Sequence, residues 1–185
     1  MLLTRQSILK EIEENRLIFT PKIDEGEQVG HSSVDLRLSN TFIHIDKKVE
    51  ELRKAGGAVH FLMGDHPWAA FEEKYATKEQ LAGGQIFTLV PGKLVLGFTA
   101  EYIQLPPTLA GRVEGKSGLS RRGLLVHLTA PTLHVGWAGQ ICLEMYNVGP
   151  VPLDLKPGNL ICQLILETVT MPEQYEGQFQ GQTES

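Results

Sequence analysis

The second half of the chain is a succession of short runs in which apolar and polar residues alternate. From Gln85 onward these runs are broken at proline and glycine pairs such as Pro91-Gly92 and Pro157-Gly158. A period of two is typical of a strand with one buried face. Because short strands at regular turn spacing indicate a sandwich or a barrel, the pattern predicts a mainly β, antiparallel protein.

The first half of the chain adds helical segments to this β-rich pattern. Thr4 is placed to cap a helix that runs to about Asn15, with its apolar residues on one face. Segment 29–45 then alternates between apolar and polar residues, which predicts a strand. We therefore expect an N-terminal helix that leads into the β structure.

Residues 46–85 differ from the rest in pattern and predict a small helical insertion. They begin with a short helix that the Gly-Gly pair at 56–57 stops, and a second helical piece begins near Pro67. The spacing of Thr77 and Gln80 fits a capping box. The sequence does not indicate what this insertion does.

Length and charge restrict the class of protein. The chain has 185 residues, 42% of them hydrophobic, which suits one domain spanning residues 1–185. A net charge of −5 disfavours nucleic acid as a main partner, because proteins that bind polyanions are usually basic. We expect no membrane association and a cytoplasmic location, since no apolar run approaches the roughly 18 residues that span a bilayer and no signal region is visible.

The segment GRVEGKSGLSRRGLLVH, residues 111–127, contains the letters GKS that end a phosphate-binding P-loop. The spacing of its glycines is one residue short for that motif, and a β run rather than a helix follows it. Lys116, Arg121 and Arg122 nonetheless lie among glycines and serines, a combination that binds anions through charge and backbone N–H groups. From these residues alone, the segment is either a phosphate-binding loop or an exposed basic turn.

Several ordered motifs resemble the dCTP deaminase branch of the dUTPase-like superfamily. GKSGLSRRGLLVHLTA resembles the family's Gly-Arg-Ser-Ser-Leu-Ala-Arg-x-Gly-Leu stretch and its Val-His-x-Thr-Ala stretch. HVGWAG resembles Asp-Pro-Gly-Trp-x-Gly, LEMYN resembles Leu-Glu-x-x-Asn, and PGNLICQL resembles Pro-Gly-x-x-Ile-x-Gln-Leu. SSVDLRLSNTF and the tail YEGQFQGQ also match family motifs. The resemblance covers nearly the whole chain except residues 46–85.

This resemblance implies a distorted β-barrel or jelly-roll subunit of the dUTPase type. It also implies a homotrimer with active sites between subunits, a dCTP or dUTP nucleotide that carries Mg²⁺ on its triphosphate, and feedback by dTTP as a family trait. The implied deaminase has no zinc, in agreement with two cysteines that match no zinc spacing. The polar tail, residues 172–185, is expected to be mobile and to close over the nucleotide.

Glu144 aligns with the family's catalytic glutamate. The alternation of apolar residues over 141–145 puts Glu144 on the other face of a strand, together with Cys142. The resemblance implies that its carboxylate takes a proton from water and passes it to the leaving amine of cytosine. Ser117 and Arg121 match residues that order the water and the phosphates and hold the transition state.

The resemblance also implies a wider set of nucleotide contacts. Backbone groups of Thr129 and Ala130 would contact the base and the water. Trp137 matches a residue near the sugar, but the sequence equally allows it to pack in the core. The implied substrate-binding residues are Lys116, Gly118, Leu119, Ser120, Thr129, Ala130, His134, Trp137, Cys142, Leu143, Gln163, Tyr175, Gln178 and Gln182.

Several of these positions, Gly118 among them, depart from the family's pattern. Lys116 replaces an arginine and Gln178 replaces a lysine, which weakens the expected grip on phosphate. His134 replaces the aspartate that, in the dUTPases, holds the sugar 3′-OH and activates water for attack at the α-phosphate. Because histidine carries no negative charge at neutral pH, we expect deamination of dCTP to dUTP and ammonia. A bifunctional deaminase–diphosphatase, a dUTPase and a non-catalytic nucleotide-binding homologue are the alternatives.

Overall fold

The computed structural model of the protein describes residues 1–56 and 68–184. None of the helices in this part of the chain is long and apolar enough to cross a membrane. The helices of the described residues are α1 (Arg5–Glu13), α2 (Glu25–Gln28), α3 (Asp46–Lys54), α4 (Trp68–Tyr75) and α5 (Ser117–Ser120). The strands are β1 (Ile18–Thr20), β2 (Val34–His44), β3 (Thr77–Gln80), β4 (Phe87–Leu89), β5 (Leu94–Gln104), β6 (Leu109–Gly115), β7 (Leu124–Leu125), β8 (Thr132–Leu133), β9 (Ala138–Asn147), β10 (Leu153–Leu155) and β11 (Leu160–Thr168).

One antiparallel sheet organises the molecule and curls into half a barrel. Its strand order is β7-β9-β5-β2-β11-β6-β8, with β1 paired to β5 and β3 paired to β2. β10 and β4 form a separate two-stranded sheet. The predicted mainly β, barrel-like architecture is therefore confirmed. Its longest strands, β2 and β5, have 11 residues each and place β9 and β11 on either side of them.

A single large apolar cluster joins the long strands. Leu36 on β2, Ile103 on β5, Leu143 on β9 and Leu164 on β11 are all 0% exposed within it. Each such side chain contributes about 1.5–3 kcal/mol relative to an exposed position. This buried face fixes which residues of each strand point outward, and so it determines where polar side chains are available for chemistry.

The N-terminal helix is confirmed, with ends that differ slightly from the expected ones. α1 ends at Glu13, and Thr4 occupies its N-cap position without a capping hydrogen bond from the side chain. Asn15 has a φ of 54°, in the left-handed region, so it lies outside the helix that was expected to reach it. The chain then enters β1.

The insertion is helical only in part. α3 ends as expected just before Gly56, whose φ of 80° favours glycine, while Gly57 and Pro67 lie outside the described residues. The capping box expected at 77–80 is wrong, because these residues form β3 and pair with β2 from Thr41 to His44. Residues 41–44 of β2 provide hydrogen-bond partners for the backbone N–H and C=O groups of this segment. Such pairing between distant segments overrides a local capping signal.

The C-terminal segment, residues 172–184, lies along the beginning of β9. The Gly181 N–H donates to the carbonyl oxygen of Ala138 over 2.8 Å, and the Gln140 N–H donates to that of Gln182 over 2.8 Å. Gln182 thereby forms a parallel bridge with Gly139. The expected mobility of this tail stays a prediction, but its position beside β9 brings it to the strand that carries Glu144.

Candidate active site

Glu144 lies on the outer face of β9, as the alternation predicted. Leu143 and Met145 on either side of it are fully buried, whereas Glu144 is only partly buried. Its Oε2 accepts a hydrogen bond of 2.9 Å from the backbone N–H of Leu128. A main-chain donor thus fixes one carboxylate oxygen and leaves the other available, which suits a carboxylate that exchanges a proton with water.

The neighbours of Glu144 on β9 separate into two groups. Cys142 shares its outer face, and burial, followed by the negative charge of Glu144, raises the pKa of the Cys142 thiol to about 12. This thiol therefore stays protonated and uncharged at neutral pH. The Leu143 side chain points into the core, so among the implied substrate-binding residues it stands apart from the face that carries Glu144.

The loop that follows β6 is short and lies within β structure, as the rejection of a P-loop required. β6 ends at Gly115, Ser117–Ser120 forms the single turn α5, and the chain then enters β7. Gly123 has a φ of 99°, and a Cβ at this position would lie 2.5 Å from the Gly149 backbone. Only glycine fits this approach, which brings the end of the loop against the turn that follows β9.

Side chains of the loop differ in how far they are engaged. Ser117, Gly118, Ser120 and Arg121 are exposed, while Leu119 packs against the core. Arg122 donates from Nη1 to the carbonyl oxygen of Gly118 over 3.0 Å, which braces α5. Within residues 1–56 and 68–184, the Arg121 side chain makes no hydrogen bond or ion pair, so its guanidinium is available to an anion.

Lys116 and Gln163 are engaged with other parts of the protein. Lys116 forms an ion pair with Asp35 of β2. Gln163 of β11 donates from Nε2 to the carbonyl oxygen of Gly115 over 3.1 Å, and its Oε1 accepts from the Ser33 hydroxyl over 3.2 Å. Neither Asp35 nor Ser33 was among the residues expected at the site. Both lie in the SSVDLRL run that carried part of the resemblance, and this was the available signal for them.

Thr129 and Ala130 are exposed in the segment between β7 and β8. They directly follow Leu128, whose N–H binds Glu144. The structure therefore brings the Thr-Ala pair next to the candidate catalytic carboxylate, where its backbone groups are accessible. The contact of this pair with the base and the water stays a prediction.

His134 and Trp137 occupy the turn before β9, and both contact the tail. The His134 ring stacks on that of Tyr175, with centroids 5.0 Å apart and planes 9° apart. Trp137 is 6% exposed, and its Nε1 donates to the carbonyl oxygen of Phe179 over 3.0 Å. Trp137 packs in the apolar core, and its expected place near the sugar stays a prediction. Gln178 is exposed on the tail.

These residues form three groups within one chain: Glu144 with segment 128–130, the loop 115–123, and the 134–137 turn with its tail. β7 connects the first two groups, because Leu124 pairs with Asn147 and Leu125 pairs with Tyr146 of β9. Among the described residues, no hydrogen bond joins Glu144 to Ser117 or Arg121. No three His, Cys, Asp or Glu side chains of that same part of the chain are grouped as a metal site would require.

A buried carboxylate lies next to this region without being exposed to it. Glu101 is 0% exposed and accepts hydrogen bonds of 2.9 Å from Gln28 Nε2 and from the Arg37 backbone N–H. The Arg37 guanidinium lies 3.7 Å from the same carboxylate. Because all these partners are internal, we assign Glu101 to the structure of β2 and β5 rather than to the site.

The model of the dCTP deaminase-like family matches residues 2–169 of the chain. The chain belongs to the dCTP deaminase-like family. The motifs that carried the resemblance therefore reflect membership of the family. Glu144, Ser117 and Arg121 all lie within the matched residues.

Two curated relatives from Dictyoglomus support this membership. Proteins of D. turgidum (strain DSM 6724 / Z-1310) and D. thermophilum (strain ATCC 35947 / DSM 3960 / H-6-12) are each named "dCTP deaminase, dUMP-forming". Each is 40% identical over 172 residues, which make up 93% of this chain and 82% of the relative.

The solved structures give the same fold. The crystal structure of 2′-deoxycytidine 5′-triphosphate deaminase from Agrobacterium tumefaciens matches 89% of this chain with a TM-score of 0.67 and 17% identity. The match covers 46% of that protein, so the chain spans less than half of its length. At 17% identity, this similarity shows that the chain shares the fold of that deaminase.

Proposed function

We propose that the protein catalyses the hydrolytic deamination of dCTP. The observation that carries the proposal is the position of Glu144, which lies on the outer face of β9 with one carboxylate oxygen bound by the Leu128 N–H, beside Thr129 and Ala130. A fixed, partly buried carboxylate next to accessible backbone groups suits a reaction that moves a proton from water to a leaving amine. The names of two relatives at 40% identity support the same substrate.

In the proposed step, Glu144 accepts a proton from a water molecule whose oxygen bonds to C4 of cytosine. The proton then passes to the exocyclic nitrogen, the C4–N bond breaks and ammonia leaves. The second proton of the water moves from the new oxygen on C4 to N3, which gives uracil. The Leu128 N–H keeps the carboxylate oriented during both transfers. Ser117 and Arg121, both exposed on the loop, would stabilise the developing charge and the phosphates.

We further propose dUMP as the final product, with pyrophosphate released after deamination. The support comes from the two relatives, whose names end in "dUMP-forming". From the sequence alone, His134 in place of aspartate led us to expect dUTP, and the names of the relatives favour dUMP instead. In this proposal His134, exposed on its turn, accepts a proton from the water that attacks the α-phosphate.

The proposal also includes Mg²⁺, a homotrimeric assembly and feedback by dTTP. Mg²⁺ would enter as the complex with the triphosphate and supply charge neutralisation there. Glu144 and the loop 115–123 make no direct hydrogen bond within the described part of one chain, a separation that suits a site assembled between the subunits of a homotrimer. Feedback by dTTP is proposed on the same basis of family membership.

The experiment is an incubation of the protein with dCTP and Mg²⁺, and separately with dUTP and Mg²⁺, with ammonia and pyrophosphate measured in both. Ammonia and pyrophosphate in equal amounts from dCTP support both parts of the proposal. Ammonia without pyrophosphate restricts the activity to deamination and overturns the proposed product. Pyrophosphate from dUTP with no ammonia from dCTP indicates a dUTPase. The absence of both products, together with tight nucleotide binding, would identify a non-catalytic homologue.

A further inference from the structure

The loop that carries Ser117 and Arg121 is fastened at its beginning by two contacts from separate strands. Lys116 Nζ donates to Asp35 Oδ2, and the side chains of the two residues are only 28% and 22% exposed. Gln163 Nε2 donates to the carbonyl oxygen of Gly115 over 3.1 Å. Two consecutive residues of the loop are therefore bound to the sheet.

Both contacts come from one place in the sheet. Asp35 of β2 and Gln163 of β11 face each other in the strand register, and the Ser33 hydroxyl donates to Gln163 Oε1 over 3.2 Å. Cross-strand partners are fixed relative to each other by the ladder between them. The sheet thus supports Gly115 and Lys116, while Ser117 and Arg121 are exposed.

The charge of Lys116 is neutralised by this arrangement. A partly buried ion pair is screened less by salt than an exposed one, and separation of this pair would leave the Asp35 carboxylate without its cation. Arg121, in contrast, has no ion pair or hydrogen bond from its side chain among residues 1–56 and 68–184. Lys116 is therefore engaged by the protein itself, whereas the Arg121 guanidinium is available to an anion.

We propose that Asp35 is a positioning residue for the nucleotide reaction, which acts by holding Lys116 so that Ser117 and Arg121 face the substrate. Lys116 fastens the loop in this account, and Arg121 is the cation that binds phosphate. The inference rests on the proposed function for its substrate. It differs from the role that the resemblance gave to Lys116, which was a direct contact with phosphate.

The test is a double-mutant cycle with Asp35→Asn, Lys116→Met and the double variant, assayed with dCTP and Mg²⁺. Loss of a hydrogen bond to a charged group weakens function by about tenfold. If Asp35 positions the loop, each single variant lowers kcat/KM by about that factor, and the double variant is no worse than either one, because both remove the same contact. Asp154→Asn is the matched control, since this exposed carboxylate accepts from the Thr88 hydroxyl at 2.7 Å on the separate two-stranded sheet.

A direct contact between Lys116 and phosphate predicts different kinetics. If Lys116 itself binds phosphate, Asp35→Asn leaves KM unchanged or lowers it, because the lysine becomes free, whereas Lys116→Met raises KM. That outcome overturns the proposal. Should Asp35→Asn fail to fold, Lys116→Met still decides, since a displaced loop lowers kcat at saturating dCTP while a lost phosphate contact raises only KM.

A failure of the proposed function stays separate from a failure of this inference. Wild-type turnover of dCTP is measured first. If it is absent, the same variants are compared in their affinity for inorganic triphosphate with Mg²⁺. A positioning role predicts weaker binding by Asp35→Asn, because Arg121 is displaced, whereas stronger binding would show that Lys116 binds the phosphates itself and would refute the inference.

Discussion

The strand around Glu144 and the turn around His134 lie next to each other in the chain but are held in different ways. Glu144 belongs to β9, whose neighbours in the register and buried face fix the direction of every side chain. The turn at 134–137 is held through contacts with the tail, which include the His134–Tyr175 stack and the bond from Trp137 to the Phe179 carbonyl oxygen.

The two regions also differ in how closely they follow the family's pattern. LEMYN keeps the family's glutamate and asparagine, and Asn147 is fully buried with hydrogen bonds to the carbonyl oxygens of Leu89 and Val151. The turn and tail carry the replacements His134 and Gln178, and several of their contacts use backbone groups that any residue provides. Asn147 is thus held by its own side chain, whereas the turn is held by main-chain contacts, such as the bond from the Tyr175 N–H to the Val135 carbonyl oxygen, together with side-chain contacts to the tail.

The largest expected effect is at Glu144. Glu144→Gln keeps the shape and the contact with the Leu128 N–H but removes proton transfer, which typically contributes 10²–10⁴-fold. Ammonia release from dCTP should fall by about that factor. The control is Glu167→Gln, a carboxylate on β11 that lies 3.4 Å from Arg112 and outside the site. Deamination at more than half of the wild-type rate by Glu144→Gln would remove this residue from the mechanism.

The next largest effect is expected at Arg121, and its neighbour Arg122 provides the comparison. Arg121→Met should lower kcat/KM for dCTP by about 100-fold, as expected when a charge-stabilising donor is lost. Arg122→Met removes only the bond to the Gly118 carbonyl oxygen and should cost about fivefold or less. Steady-state kinetics of the two variants measure the difference. Equal losses would mean that the loop acts through its overall charge and not through Arg121.

His134→Asp tests whether residue 134 is the base for attack of water at the α-phosphate. It restores a negatively charged base at the position where the dUTPases carry one, so pyrophosphate release should rise by about tenfold or more, within the range of general-base catalysis. Ammonia release should stay close to wild type, because Glu144 lies on the neighbouring strand. The two products are measured in the same reaction. A parallel fall in both would show that the turn and β9 are not independent.

Variants of Tyr175 test how much the stack on His134 contributes to nucleotide binding, and the expected change in KM is the smallest of the series. Tyr175→Ala removes the stack on His134 and should raise KM for dCTP by about two- to tenfold, the range expected for an aromatic pair. Tyr175→Phe keeps the ring and should behave as wild type. Hydrogen exchange of residues 172–184 reports whether the tail leaves β9. Unchanged exchange in the alanine variant would assign the tail's position to its backbone contacts alone.

The regular parts of the molecule were predictable from sequence because they depend on periodicity. Alternation around Ile141, Leu143 and Met145 was sufficient to place Glu144 on the outer face of β9. The strand β3 was not predictable from its own residues, because its conformation depends on pairing with β2, more than 30 residues earlier in the chain. The same limit applies to Lys116, whose partner Asp35 is 81 residues away in sequence.

Every proposed residue role depends on conversion of dCTP by this chain. The most direct measurement is a time course by combined proton and phosphorus nuclear magnetic resonance of dCTP with the wild-type protein and Mg²⁺. We expect that the cytosine ring signals are replaced by uracil signals and that a phosphate monoester appears together with pyrophosphate. A spectrum in which the cytosine signals persist while the protein is folded and nucleotide-bound would contradict it.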